Sequence, residues 1–205
     1  MALSDRAQER FGLPPPDLPE RELPLAILEK PWLRLHAARR DPVFFGKTGA
    51  NRFDDPRKEF GILYAAEDAF GAFIEVYGRD PGINLVSERD LRKRTLSELV
   101  VGRELELVDL TGAGAAQIGA TGGISTDPHE LVQPWSRALY EHPSSPDGIY
   151  YRLKHDLDRK GVAVFDRIGV VGAVRAASRG SLMEPDNRDL LGEILKEYKF
   201  GLIPN

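Results

Sequence analysis

GILYAAEDAFGAFIEVYG, residues 61–78, passes from one periodicity to another without a linker. Its first six residues form a short apolar run that reads as a strand. Phe70, Phe73, Ile74 and Tyr77 then recur at helical spacing and predict the buried stripe of a helix. Gly78 is the expected C-cap. A strand feeding directly into an amphipathic helix sets the class of the fold, and the flanking sequence extends it. Upstream, WLRLHA predicts a strand with Trp32, Arg34 and His36 on one face and Leu33 and Leu35 on the other. Residues 38–61 form a connection longer than packing requires, of the kind that is functional or mobile. Downstream, RELELVDL, DGIYY, GVAVFD and IGVVGAV read as strands. TDPHELVQPWSRALYEH reads as a helix starting at Asp127-Pro128 and disturbed at Pro134, and DNRDLLGEILKEYKF as a terminal helix. Strands and helices interleave without a regular βαβ rhythm. The prediction is therefore an α+β domain, a mixed central sheet with flanking helices, rather than a doubly wound parallel sheet.

With 205 residues and 41% apolar content the chain can bury one substantial core, and a single domain is the default. Residues 1–25 read as a poorly structured lead-in, because PPPDLPERELPL carries five prolines. The domain is placed at 26–205. No apolar run approaches the roughly 20 residues of a membrane span, and MALSDRAQERFG lacks the apolar core of a signal peptide, so a cytoplasmic protein is expected. The absence of cysteine excludes disulfides, thiolate metal sites and a cysteine nucleophile. A formal net charge of -4 argues against direct nucleic-acid binding, though not against a small basic pocket.

Arg34, Arg52, Tyr64 and Glu75 follow one another over a short span. Two arginines, a tyrosine and a carboxylate are the parts needed to hold an anionic, aromatic nucleotide and to stabilise positive charge on its sugar, and the combination points to NAD. Each also has a plainer explanation. Glu75 lies roughly 150° from the centre of the apolar stripe, where it can be an exposed glutamate paired with Arg79. Its neighbours Gly71, Ala72 and Gly78 are small, however, which lets something approach closely. Arg52 can be a loop charge balanced by Asp54 or Asp55, Arg34 a surface arginine, and Tyr64 ordinary core with a satisfied hydroxyl.

Other motifs fail on spacing. TGAGAAQIG has G-x-G-x-x-x-x-G instead of the dinucleotide fingerprint and reads as a flexible turn. There is no G-x-S-x-G elbow and no Walker lysine. His36, His129, His142 and His155 lack metal-ligand spacing, so no metal is expected.

LRLH with Arg34, ANRFDDP, GILYAAEDAFGAFIEVY, LELVDLTGAGAAQIGA, and DGIYYRLKHD followed by GVAVFDR occur in the order that resembles the RES-domain family, the toxin component of RES/Xre toxin–antitoxin pairs. The resemblance covers roughly residues 30 to 167. It implies a fold like that of the ADP-ribosyltransferases and an activity that depletes NAD by breaking the nicotinamide–ribose bond, with water or phosphate as acceptor. NAD is then substrate, and no prosthetic group is expected. Carried onto this chain, the family arginine falls on Arg34, a second pocket arginine on Arg52, the tyrosine on Tyr64 and the glutamate on Glu75. Glu75 would stabilise the oxocarbenium-like sugar, Arg34 and Arg52 would hold the pyrophosphate, and Tyr64 would stack on or cap the nicotinamide or ribose. Arg152 keeps its place in the motif and could reach a phosphate. The family serine does not carry over. Where many members read Y-R-S-R-H-D, this chain has Tyr151-Arg152-Leu153-Lys154-His155-Asp156, and the bulk of Leu153 is expected to intrude where substrate should lie. That departure keeps two alternatives open: a catalytically impaired chain that binds nucleotide or antitoxin, and an ADP-ribosyltransferase acting on a protein. The expected partners are NAD, an Xre-like antitoxin and further copies of the chain, without a membrane.

Overall fold

The computed structural model describes residues 12–28, 31–80 and 82–204. In chain order the strands are β1 (Leu25–Leu28), β2 (Trp32–Ala37), β3 (Ile62–Ala66), β4 (Leu85–Ser87), β5 (Arg94–Val101), β6 (Leu105–Asp109), β7 (Gly148–Arg152), β8 (Lys160–Phe165), β9 (Val174–Ser178) and β10 (Gly201–Ile203). The helices are α1 (Ala69–Tyr77), α2 (Glu88–Arg92), α3 (Ala113–Gln117), α4 (Gly123–Thr126), α5 (His129–Tyr140), α6 (Ile168–Val171) and α7 (Arg188–Glu197).

Eight strands form one sheet in the order β1-β6-β7-β8-β3-β2-β5-β9, while β10 and β4 form a small parallel pair. Only β6 and β7 run parallel within the large sheet. The result is the expected mixed sheet with flanking helices. One face packs against α1, α5 and α7 through Phe73, Trp135, Leu139, Phe165 and Ile194. The other buries Trp32, Leu63, Leu99, Leu107, Val162 and Val164. Burial of each such side chain contributes about 1.5–3 kcal/mol.

The join between β2 and β3 is the weakest seam of the sheet. β2 pairs with β5 along its whole length and β3 with β8 along its whole length. Between β2 and β3, however, only Leu33 and Ala66 are in register. Beyond that point the two strands diverge and the sheet opens into a cleft.

Local chemistry explains the helix after β3. Asp68 caps α1 by accepting from the Gly71 backbone N–H at 2.7 Å, and Gly78 ends the helix. α5 runs unbroken through Pro134, contrary to the expected disturbance. Three further expectations are corrected. IGVVGAV is a short helix followed by β9 rather than one strand; it leaves Ile168 at 99% exposure, which its apolar composition conceals. TGAGAAQIG contains helix α3, because its alanines favour helix and Gly114 is needed for close packing, a Cβ there colliding with the Asp109 carbonyl oxygen. Finally, the part of the lead-in from Gly12 onward is ordered against the domain. Leu18 is buried, Trp135 Nε1 donates to the Gly12 carbonyl at 2.7 Å, and β1 pairs with β6. Residues 1–11 lie outside the described residues.

Candidate active site

The cleft between β2 and β3 leads into a cavity of about 680 Å³, within the range of small-molecule sites. β2 contributes Arg34 and His36, β3 Tyr64, α1 Glu75, and the segment after β7 Leu153, Lys154 and His155. Arg52 enters from the long connection after β2.

Of the two expectations for that connection, functional or mobile, its centre fits the first: it lines the cavity and is firmly held. Asp54 is fully buried. Its Oδ2 accepts from Thr48 Oγ1 (2.7 Å), Ala50 N (3.1 Å), Asn51 N (3.2 Å) and Asn51 Nδ2 (3.0 Å), and its Oδ1 accepts from the Tyr64 hydroxyl at 2.9 Å. The Tyr64 hydroxyl in turn accepts from Phe53 N at 3.0 Å. α5 clamps the loop from outside: Gln133 donates to the Gly49 and Asn51 carbonyls, Ser136 to the Phe53 carbonyl at 2.6 Å, and Arg137 to Asp55. Every donor around Asp54 aims at one carboxylate, so the backbone at residues 48–54 has little freedom.

The consequence is the pose of Arg52. It is 7% exposed and pairs with neither Asp54 nor Asp55. Its Nη1 donates to the Asp127 carbonyl at 2.8 Å, while Nη2 is buried without a partner among the described residues. A buried guanidinium N–H left unpaired costs on the order of 1–3 kcal/mol unless an acceptor arrives. Burial lowers the Arg52 pKa, with Glu75 and Asp127 opposing. Arg34 is lowered to about 10, chiefly by burial and then by Arg40, with Asp41 opposing; it stays cationic at neutral pH. Its Nη1 donates to the Phe44 carbonyl at 3.2 Å.

Glu75 is half-buried and does not form the side-chain pair with Arg79 of the plainer explanation; Arg79 Nε donates to the Glu75 backbone carbonyl at 2.9 Å. The Glu75 carboxylate instead accepts a long hydrogen bond, 3.5 Å, from the His155 backbone N–H. Among the described residues it is the only carboxylate on the cavity wall, which carries seven arginine or lysine side chains. The histidine ring of residue 155 is held below its ordinary pKa by burial, against the pull of Glu75. Among the described residues no three of His, Asp and Glu come together as metal ligands.

Arg34, Arg52, Tyr64 and Glu75 are thus brought together. Arg152 is not: it lines a separate hollow with Thr111 and Ser125 and donates to the Thr111 and Leu157 carbonyls, both at 2.6 Å. Strand alternation is the reason. Residues 151 and 153 share the cavity side of the β7 segment, which 152 cannot. The same alternation identifies Tyr151, a cavity residue not anticipated, which packs edge-on against Phe53 at 4.7 Å between centroids and whose pKa burial raises. Leu153 is 1% exposed. Ideal Cβ atoms built on Gly71 and Gly161 would lie 2.8 and 2.7 Å from its two methyls. The side chain lines the cavity and fills a notch left by two glycines. Of the small residues near Glu75, Gly71 admits Leu153.

The sequence matches the RES domain over residues 26–182, most of the chain. The chain belongs to the RES domain family. A relative, the probable toxin y4kH of Sinorhizobium fredii (strain NBRC 101917 / NGR234), is 30% identical over 117 residues, spanning 56% of this chain and 87% of that one. The fold of this RES domain is similar to a chain in the crystal structure of the M. tuberculosis MbcT–MbcA toxin–antitoxin complex, with a TM-score of 0.60 and 17% identity over 83% of this chain and 91% of that chain. Among the described residues of the RES protein no helix is long and apolar enough to cross a membrane.

Proposed function

We propose that this RES-domain protein is the toxin of a toxin–antitoxin pair and depletes NAD by cleaving its nicotinamide–ribose bond. The observation that carries the reading is the orphaned Nη2 of Arg52, buried in a cationic cavity with a single carboxylate among its described wall residues. Such a wall suits a pyrophosphate, since a guanidinium offers forked donors to phosphate oxygens. Arg52 and Arg34 grip the pyrophosphate, and Glu75 faces the ribose. As the C1′–N bond breaks, its electron pair leaves with neutral nicotinamide and positive charge grows on the sugar. The Glu75 carboxylate stabilises that charge. The oxygen of water or phosphate then bonds to C1′, with a proton released from water when water is the acceptor. Tyr64 presents its ring to the cavity, while its hydroxyl, occupied by Asp54 and Phe53, holds the loop that aims Arg52. It is a positioning residue rather than a polar cap on the nicotinamide.

The test is release of free nicotinamide from NAD by purified protein. Wild type is expected to release it, and Glu75→Gln to do so at least about 100-fold more slowly. No release from wild type, or equal release from the variant, counts against the reading. A second reading, a chain that binds nucleotide without turnover, is favoured by Leu153 at the family serine position. Its signature is NAD binding without nicotinamide. The names of the two relatives, a probable toxin and a toxin–antitoxin complex, support an antitoxin partner, and co-expression with the product of an adjacent small gene should suppress growth arrest.

A further inference from the structure

The cationic wall exceeds what NAD requires. NAD carries two negative phosphates and one positive pyridinium, and Arg34 with Arg52 already match the pyrophosphate. A second group of arginines stands at the cavity mouth. Arg39 and Arg40 sit in the turn that ends β2, closed by the Arg40 N–H to Ala37 carbonyl bond at 2.9 Å. Arg94 begins β5 directly opposite Ala37. All three line the cavity, and Arg39 and Arg40 are exposed.

Among the described residues none of the three has a carboxylate within salt-bridge distance. Arg94 instead lies over the Tyr77 ring at 5.5 Å. Arg40 is close enough to Arg34 to disfavour its charge, and Asp41 offsets that only in part. Like charges gathered in the turn after β2 and at the start of β5, with Asp41 only a partial offset, cost the free protein stability. They suit a ligand that carries a further dianion beside the pyrophosphate held by Arg34 and Arg52.

We infer that Arg39, Arg40 and Arg94 form a subsite for a third phosphate, and that the preferred substrate is the 2′-phosphorylated dinucleotide NADP. The inference rests on the dinucleotide reading of the pocket. The nicotinamide end lies at Glu75 and the adenosine ribose at the mouth, where its 2′-phosphate, about two negative charges at neutral pH, meets the arginine cluster. Cleavage itself is unchanged; the cluster sets which dinucleotide binds.

The experiment compares NAD and NADP as substrates for wild type and for the Arg39→Ala/Arg40→Ala double variant, with calorimetric binding measured in parallel. Wild type is expected to show kcat/KM for NADP at least about tenfold above that for NAD, the discrimination of one charge-assisted phosphate contact. The double variant should lose that preference mainly through KM, with NAD turnover within about twofold of wild type. Equal or better use of NAD by wild type overturns the inference while leaving NAD cleavage intact, as does an unchanged NADP preference in the variant. If neither dinucleotide releases nicotinamide, cleavage fails and binding decides the subsite. Tighter NADP binding that is lost in the double variant upholds it, and equal or absent binding ends it.

Discussion

Leu153 shows how one side chain is decoded by its neighbours. Taken alone, leucine for serine reads as damage to a polar site. In the fold, its methyls occupy the space that Cβ atoms at Gly71 and Gly161 would need, so the exchange is absorbed by packing. That contact can be tested from both sides. Leu153→Ala should destabilise the protein by about 2–5 kcal/mol, the usual range for a buried leucine truncation, measured by urea unfolding. Gly71→Ala should cost about 1–3 kcal/mol through overpacking even though alanine is the better helix former, and in the Leu153→Ala background the same change should become neutral or stabilising by up to about 1 kcal/mol. Strict additivity of the two would show that the notch is not shared. Legibility at this scale is uneven. Helical spacing takes Glu75 off the apolar stripe, and it lies on the cavity wall. The environment of Arg52 is unreadable, because its partner Asp127 lies 75 residues away.

At the scale of elements, the loop from Thr48 to Asp55 behaves as a rigid part despite having no regular structure. Asp54→Asn should be severe. A single amide oxygen cannot accept from five donors, and the lost bonds to a buried group predict a cost of about 2–4 kcal/mol. Nicotinamide release should fall as well, because Arg52 loses its fixed pose. Tyr64→Phe, which removes one donor to Asp54 and the acceptor for Phe53 N, should do the same more mildly; retention of full activity and stability by both variants would sink the positioning role. The strands legible in the sequence are those with clean patterns, WLRLHA, GILYAA, RELELVDL, DGIYY and GVAVFD, together with the helices at residues 69–77, 129–140 and 188–197. RTLSELVV is hidden because Arg94, Ser97 and Glu98 interrupt its apolar run. What makes it a strand is pairing with both β2 and β9, a long-range effect that local sequence cannot register.

For the molecule as a whole, pH dependence comes from histidines held neutral. His36 Nδ1–H donates to the Ala37 carbonyl at 3.0 Å, and its Nε2 accepts from the Ser97 hydroxyl at 2.9 Å. Burial, as for His155, lowers its pKa below the usual histidine value. The unfolded chain therefore binds more protons in that window. The contribution of these rings to stability is complete above about pH 6.5 and is lost as pH falls through the lowered values. Urea midpoints should decrease from pH 7 to pH 5.5, less steeply in His36→Asn, and a flat profile for the wild type would contradict this. The single point of register between Leu33 and Ala66 has a further consequence, one of timing. One wall of the cleft is braced by β5 and the other by β8, and Tyr151 and residues 153–155 line the cavity beside them. On a ribosome, the arginines and Glu75 emerge long before the strand that holds them in place. Until Phe165 has left the exit tunnel the chain has every charged group of the cavity wall and no site.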